Sequence, residues 1–565
     1  MARLWALGDR SNASSHTPGL VISDGENLGI DWAPFMSHTD GEIPRGLTLE
    51  SRAAFAPWES EENGPVMKAK LGHVLPPSLD EADAGEVASK GDLLPISWQA
   101  LNHDEALLSE DLQPHVVVLT DALQLANRPG QLVRAIQVIK RRFPGALLWT
   151  PGIGGPDNCA VLTWFGVDLF DTIRSRQAES IGAVLTSNGP RMKLENEPEV
   201  DHWVLALAET RSAIADGSLR EIAQSQSLNS PRLVEHLRKH DQLIASEQGV
   251  LSQIVDQDKT LRVHSNDGHD DPIITDWVDF IQNRYVAPEG LDDVLILLPC
   301  SARKPYSSSR SHKAFRRAMN HNSAHEVMVT SPLGLVPRDL EEVWPAGHYD
   351  IPVTGDWTGD ETARVVSMLD ALTTRNKYRL IINHSGFDYC TDIPLIDTRQ
   401  GDGATSHSAL ERLGQAVHDN LTVKRRSGER INLDNFRSVA RLHHLNDLWL
   451  DGCQVRGRFP RWKILLDGEQ IAMWAPERGG FSLAKSAIPI LDSLSSLKRI
   501  NVKEGNKWKG DVNLANLETY DSTIRAGEDI LVMQGSQCIG SARAVAPAWE
   551  WSGCPGRLAK SHQRL

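Results

Sequence analysis

Short apolar runs of the kind that form fully buried parallel strands, each breaking off in a loop rich in Gly, Pro or Ser, recur in two blocks of this chain and restrict it to an α/β class of fold. In the first block these are His115-Val116-Val117-Val118-Leu119-Thr120, Gly145-Ala146-Leu147-Leu148-Trp149-Thr150 and Gly166-Val167-Asp168-Leu169-Phe170. Between the first two, Pro129 to Arg142 carries Leu132, Ile136 and Ile139 at helical spacing, so strand and helix alternate. In the second block, Val294-Leu295-Ile296-Leu297-Leu298 runs into Pro299-Cys300 and Val327-Met328-Val329-Thr330 into Ser331-Pro332-Leu333-Gly334. The third run, Leu380-Ile381-Ile382, leads into Asn383-His384-Ser385-Gly386. Open α/β sheets bind ligands just beyond the carboxyl ends of their strands, so these three loops are predicted to line one site.

A chain of 565 residues is too long for one hydrophobic core. The pattern predicts a multidomain α/β protein: an α/β domain with trailing helices over 1–255, a polar linker over 256–284, and a central α/β sheet domain over 285–440. A small connecting α+β domain over 441–496 and a small β domain over 497–565 follow, with Asp467-Gly468 as a hairpin turn between Lys463-Ile464-Leu465-Leu466 and Ile471-Ala472-Met473-Trp474.

The net charge of −15 argues against nucleic-acid binding only as an average. From Leu421 to the end there are 22 Lys and Arg against 15 Asp and Glu, or +7, which leaves −22 for residues 1–420. Basic residues there interleave with aromatics, at Arg456, Arg458, Phe459, Arg461 and Trp462 and again at Lys507, Trp508 and Lys509, a pairing suited to phosphate contact and base stacking. The six cysteines form no Cys-x-x-Cys pair, so neither a disulfide framework nor a zinc site is expected, and no metal or cofactor is assigned. No signal-like or membrane-spanning apolar run occurs, which predicts a cytoplasmic protein.

Chemistry concentrates after the strand at 294–298. Cys300, Arg303, Lys304, Tyr306, Ser309 and His312 place thiol, cations, phenol, hydroxyl and imidazole within a few residues of a strand end. Nearby cations favour thiolate, and His312 is expected to move protons near neutral pH. Ser331, Gly334, His348, Asp350, Asp356 and His384, from the loops after the neighbouring strands, are expected to bind substrate, with Asp350 or Asp356 suited to a cationic group.

The string Pro299-Cys300-x3-Lys304-Pro305-Tyr306-x2-Ser309-x2-His312 resembles the signature of the archaeosine synthases and fills each of its fixed positions. Leu147 to Ile153, Pro156-Asp157-Asn158 and Gly166 to Asp171 resemble the (β/α) barrel of archaeal tRNA-guanine transglycosylases, and Ile524 to Asp529 with Gly540 to Arg543 is similar to a PUA domain, a small RNA-binding barrel. The transglycosylase Asp nucleophile in its Asp-Ser-Gly context and the Cys-x-Cys-x-x-Cys zinc site are both absent, so the barrel over 1–255 is expected to be a retained scaffold and base exchange is not. The resemblance implies addition of an amine to the nitrile of 7-cyano-7-deazaguanine in the D-arm of tRNA, leading to the amidine of archaeosine. Free lysine is the implied donor, with glutamine or ammonia as alternatives and radical-SAM chemistry left to a partner enzyme. Arg456, Arg458, Arg461, Lys507, Lys509, Arg525 and Arg543 are the expected RNA contacts. Whether Cys300 forms a thioimide or shapes the pocket stays open, as does a homodimer. The rival readings are a non-catalytic tRNA-binding subunit and an active transglycosylase.

Overall fold

The computed structural model describes all residues except 1, 10–11, 40–44, 53–65, 72–92, 104–106, 108–111, 246–259, 352–354, 423–424, 459, 506–507 and 554–555. It contains two compact units, one of residues 1–246 with 549–555 and one of 247–548 with 556–565.

The first unit is built on an eight-stranded sheet in the order Val66–Leu71, Arg45–Ser51, Phe35–Thr39, Gly19–Ser23, Leu169–Asp171, Leu147–Trp149, Val116–Leu119, Leu93–Ile96. The last six run parallel, and the first two add an antiparallel ribbon. The outermost strands lie against each other, so the sheet nearly closes into a barrel. Strands 116–119 and 147–149 are buried along their whole length, as their unbroken apolar sequence requires. The helix Gln131–Arg142 turns Leu132, Ile136 and Ile139 inward, and Lys140 on the same face is buried in an ion pair with Asp168.

The second unit centres on a five-stranded sheet in the order Gly334–Pro337, His325–Thr330, Val294–Pro299, Leu380–Asn383, Leu395–Asp397. All are parallel except the first, which returns antiparallel on its neighbour. That return depends on Gly334, at φ 71°, where a Cβ would meet the Met368 sulfur at 2.2 Å. Gly334→Ala is therefore expected to lower unfolding free energy by about 1–3 kcal/mol, from left-handed backbone strain plus overpacking, measurable as a lower denaturant midpoint at unchanged slope.

The expected linker over 256–284 needs correction. Residues 256–259 lie outside the described residues, but Leu261–Arg262 pairs with Tyr349–Asp350, and the helical segment Pro272–Arg284 buries Ile274, Trp277, Phe280 and Ile281 in the core of this unit. The polar run of 264–271 masked a helix capped by Asp271, whose side chain accepts from Ile273 N.

A four-stranded antiparallel sheet, 454–483, contains the expected hairpin with Asp467 at φ 51° and Gly468 at φ 84°, the positive pair such a two-residue turn demands. The chain ends in a five-stranded mixed sheet built from segments 498–502, 517–520, 529–534, 537–544 and 559–564. Among the described residues no helix is long and apolar enough to cross a membrane.

Candidate active site

The parallel pairing of Val294–Pro299 with His325–Thr330 sets Pro299 opposite Val329, so Cys300 and Thr330 close adjacent strand ends. Thr330 is buried and its hydroxyl is a hub. It hydrogen-bonds with Cys300, with the Tyr349 phenol at 2.7 Å, with the Tyr306 phenol at 3.3 Å and with the Ser331 carbonyl at 3.2 Å. The two phenols also bond to each other. Over this floor lies Lys304, its Nζ 4.1 Å from the centre of the Tyr349 ring and 5.9 Å from that of Tyr306.

Burial pushes the Cys300 thiol above its ordinary value, and the Lys304 charge only partly opposes this. Burial likewise pulls the Lys304 ammonium down, against the Cys300 and Asp350 charges. The thiolate expected from the sequence is therefore not the resting form; desolvation outweighs the neighbouring cation. Burial thus disfavours the charged form of both groups. Asp350 is exposed at the rim, within electrostatic range of Lys304, and also faces His264 at 3.7 Å.

Ser309 and His312 stand behind this centre. Ser309 caps the helix Arg310–Met319, accepting from His312 N at 3.2 Å. The His312 ring is 1% exposed, with Nε2 3.0 Å from the Pro299 carbonyl and Nδ1 3.0 Å from Arg338. Burial, then the Arg338 charge, holds its pKa down to about 3. The expectation of a neutral-pH proton shuttle is corrected: His312 is a neutral brace that fixes the strand end carrying Cys300.

The remaining expected substrate contacts divide. Arg303 and Asp356 are exposed on their loops, His348 is half-buried with its carbonyl bonded to Leu261 N, and Ser331 is buried against Glu361. His384 is fully buried, its ring nitrogens 2.8 Å from Thr398 Oγ1 and 2.8 Å from the Ala404 carbonyl, so it shapes the loop and offers nothing to a ligand. Gly334 acts through its backbone, as described above. Thr330 joins the centre unexpectedly, and Tyr349 enters it from the 348–350 segment that the sequence places beside the pocket. The position of Thr330 at a strand end beside Cys300 is the signal that marks it, and Tyr349 is held in place by a pairing of its segment with 261–262.

Of the expected RNA contacts, Arg456, Arg458 and Arg461 are exposed on one hairpin, where register sets Arg458 opposite Arg461 and Arg456 opposite Lys463. All four share a face, although Arg456 also pairs with Glu429 at 2.6 Å. Lys509 is exposed and Lys507 lies outside the described residues. Arg525 and Arg543 are corrected. Arg525 is 9% exposed and bound to Glu528 and Asp276, while Arg543 is bound to Asp529 at 2.7 Å and to the Phe481 carbonyl. Trp508 is buried, which removes it as a stacking platform.

Residues 274–417, which hold this centre, match the family described as domain of unknown function (DUF5591). The archaeosine synthase subunit alpha of Methanosarcina acetivorans is 27% identical, covering 75% of this chain and 76% of the relative. The archaeosine synthase of Haloferax volcanii is 28% identical over 86% of this chain and 89% of its own length. More distantly, a tRNA-guanine(15) transglycosylase of Methanobrevibacter smithii is 23% identical over 60% of this chain and 53% of its own. One unit thus carries a near-closed, mostly parallel sheet, and the other carries a strand-end thiol–amine centre formed by the Pro299-Cys300-x3-Lys304-Pro305-Tyr306 residues. Over most of its length the chain is similar to the archaeosine synthases.

Proposed function

We propose that the chain modifies tRNA by adding the side-chain amine of free lysine to the nitrile of 7-cyano-7-deazaguanine in the D-arm, the adduct then being cleaved to the amidine by a radical-SAM partner. The observation that carries this reading is the desolvated Cys300–Lys304 pair on a floor of phenols and a hydroxyl. A nitrile carbon is a weak electrophile, so addition requires an unprotonated amine, a donor to the nitrile nitrogen and exclusion of water. In the direct route a bond forms from the lysine nitrogen to the nitrile carbon, one π pair passes to the nitrile nitrogen, and one proton moves from the amine to that nitrogen. Neutral Lys304 accepts the amine proton and returns it to the nitrile nitrogen, and Asp350 or Asp356 draws in the cationic donor. In a covalent route the Cys300 thiol adds first to give a thioimide, and the amine then displaces the thiol, which regains its proton.

In this reading the first unit is a transglycosylase-like scaffold that holds tRNA, and residues 497–565 form a PUA-like module preceded by the small domain of 441–496. The exposed cations of the 454–466 hairpin contact phosphate. Arg456, Arg458 and Arg461 all changed to Ala should weaken tRNA binding and flatten its salt dependence by about 0.9 in log–log slope for each phosphate no longer neutralised. Arg525→Ala should instead lower thermal stability, since it removes one partner of a buried ion-pair cluster. Filter binding across a salt series and a melting curve separate the two effects.

The test is incubation of the chain with nitrile-bearing tRNA and lysine, glutamine or ammonia in separate arms, followed by nucleoside mass spectrometry. The reading predicts a nucleoside heavier by one whole lysine. An unchanged nucleoside in every arm, with tRNA still bound, supports the rival of a non-catalytic subunit. Incorporation of labelled free base supports a transglycosylase.

A further inference from the structure

Beside the Cys300 centre, the carboxyl ends of Leu380–Asn383 and Leu395–Asp397 enclose a cleft of about 520 Å³. Asn383 stands in register with Leu297 on the strand that ends at Cys300, and Asp397 with Asn383, so the cleft opens at the same end of the same sheet. Its walls combine three chemistries. Arg399 is held by two carbonyl oxygens, Nε donating to Asp402 at 2.9 Å and Nη1 to Ser385 at 3.0 Å. Among the described residues no carboxylate forms an ion pair with it. Gly386, at φ 79°, permits this placement, because a Cβ there would meet the guanidinium at 2.2 Å. Asp397 is pinned by the amides of Arg399 and Gln400 at 2.8 and 3.1 Å, and Asp388 is exposed at the same cleft. Phe387 supplies an apolar wall and packs on Trp357 at 5.6 Å, next in sequence to Asp356.

A guanidinium lacking a carboxylate partner, carboxylates within the same cleft and an aromatic wall match a small zwitterion with an apolar stem. We infer that this cleft seats a free α-amino acid, its carboxylate on Arg399 and its ammonium on Asp388, and so holds the amine donor of the reaction. The assignment rests on the proposed amine addition for its role, but its binding chemistry does not require RNA.

Equilibrium dialysis of the full chain, without RNA, against labelled lysine and against cadaverine, the same diamine without a carboxylate, tests it. Lysine is expected to bind at least about tenfold more tightly than cadaverine, as one charge-assisted pair accounts for. Arg399→Gln should erase that preference. Asp388→Asn, at an exposed position, should weaken lysine binding about tenfold with an unchanged melting temperature, which covers the case in which the Arg399 variant fails to fold. Equal binding of the two diamines, absence of lysine binding, or wild-type lysine affinity in Asp388→Asn overturns the inference. Lysine binding with these dependences but no change in nitrile-bearing tRNA leaves the cleft in place and removes the proposed reaction. Lysine-dependent modification with an unaltered KM for lysine in both variants does the reverse.

Discussion

Lys304→Met is expected to lower the rate of amine addition by at least about 100-fold, the usual share of a positioned acid–base group, with tRNA affinity essentially unchanged. The Nζ group lies over the Tyr349 ring in a partly desolvated position, where burial favours the neutral amine. A neutral amine accepts a proton, so the rate should rise with pH through an inflection below that of a free lysine side chain, and that inflection should vanish in the variant. Lys304→Arg should not rescue, because a guanidinium keeps its proton. Single-turnover rates across a pH series check this. A Lys304→Met enzyme with a wild-type rate and pH profile would remove Lys304 from the chemistry.

The second unit should unfold in mild acid. Burial holds His312, His325, His443 and His444 down to about 3, with neighbouring charges adding to the effect at His312 and His443. In the folded state these rings stay neutral to that pH, whereas in the unfolded chain they take up protons below about 6.5. The unfolded state then binds more protons, so the stability present above pH 6.5 is lost as pH falls toward 3. Each ring contributes about 1.4 kcal/mol per pH unit in that window, and four acting together are large against a domain stability of about 5–15 kcal/mol. Melting temperatures should fall steeply from pH 6.5 to 5. A flat profile down to pH 4 would show that these rings are protonated in the folded state.

What the sequence discloses and what it hides follow from the range of the interactions. The strands at 116–119, 147–149, 294–299 and 380–383 are legible because burial on both faces demands unbroken apolar runs. The helix Pro272–Asp279 is not, because its polar approach reads as a linker and Trp277 finds its place only against the sheet, its indole donating to the Leu335 carbonyl at 3.0 Å. In the same way, Cys300, Lys304 and Tyr306 are recognisable from local spacing, but the protonation of the thiol depends on burial that spacing does not encode. Arg525 and Arg543 look like RNA contacts in one dimension and become internal partners once Asp276, Glu528 and Asp529 fold onto them. Conversely, the cleft beside Arg399 has no linear signature, since its walls come from two strand ends and Gly386 matters only through the side chain that lies over it.

The most direct measurement of the central claim uses lysine labelled with ¹⁵N at the side-chain amine, nitrile-bearing tRNA, and either the native chain or Lys304→Met, with the digested nucleosides weighed after each reaction. The label is expected in a lysine adduct of the deazaguanine nucleoside with the native chain and is expected to be nearly absent with the variant. An unaltered nitrile with the native chain, or an equal yield of adduct from the variant, contradicts it.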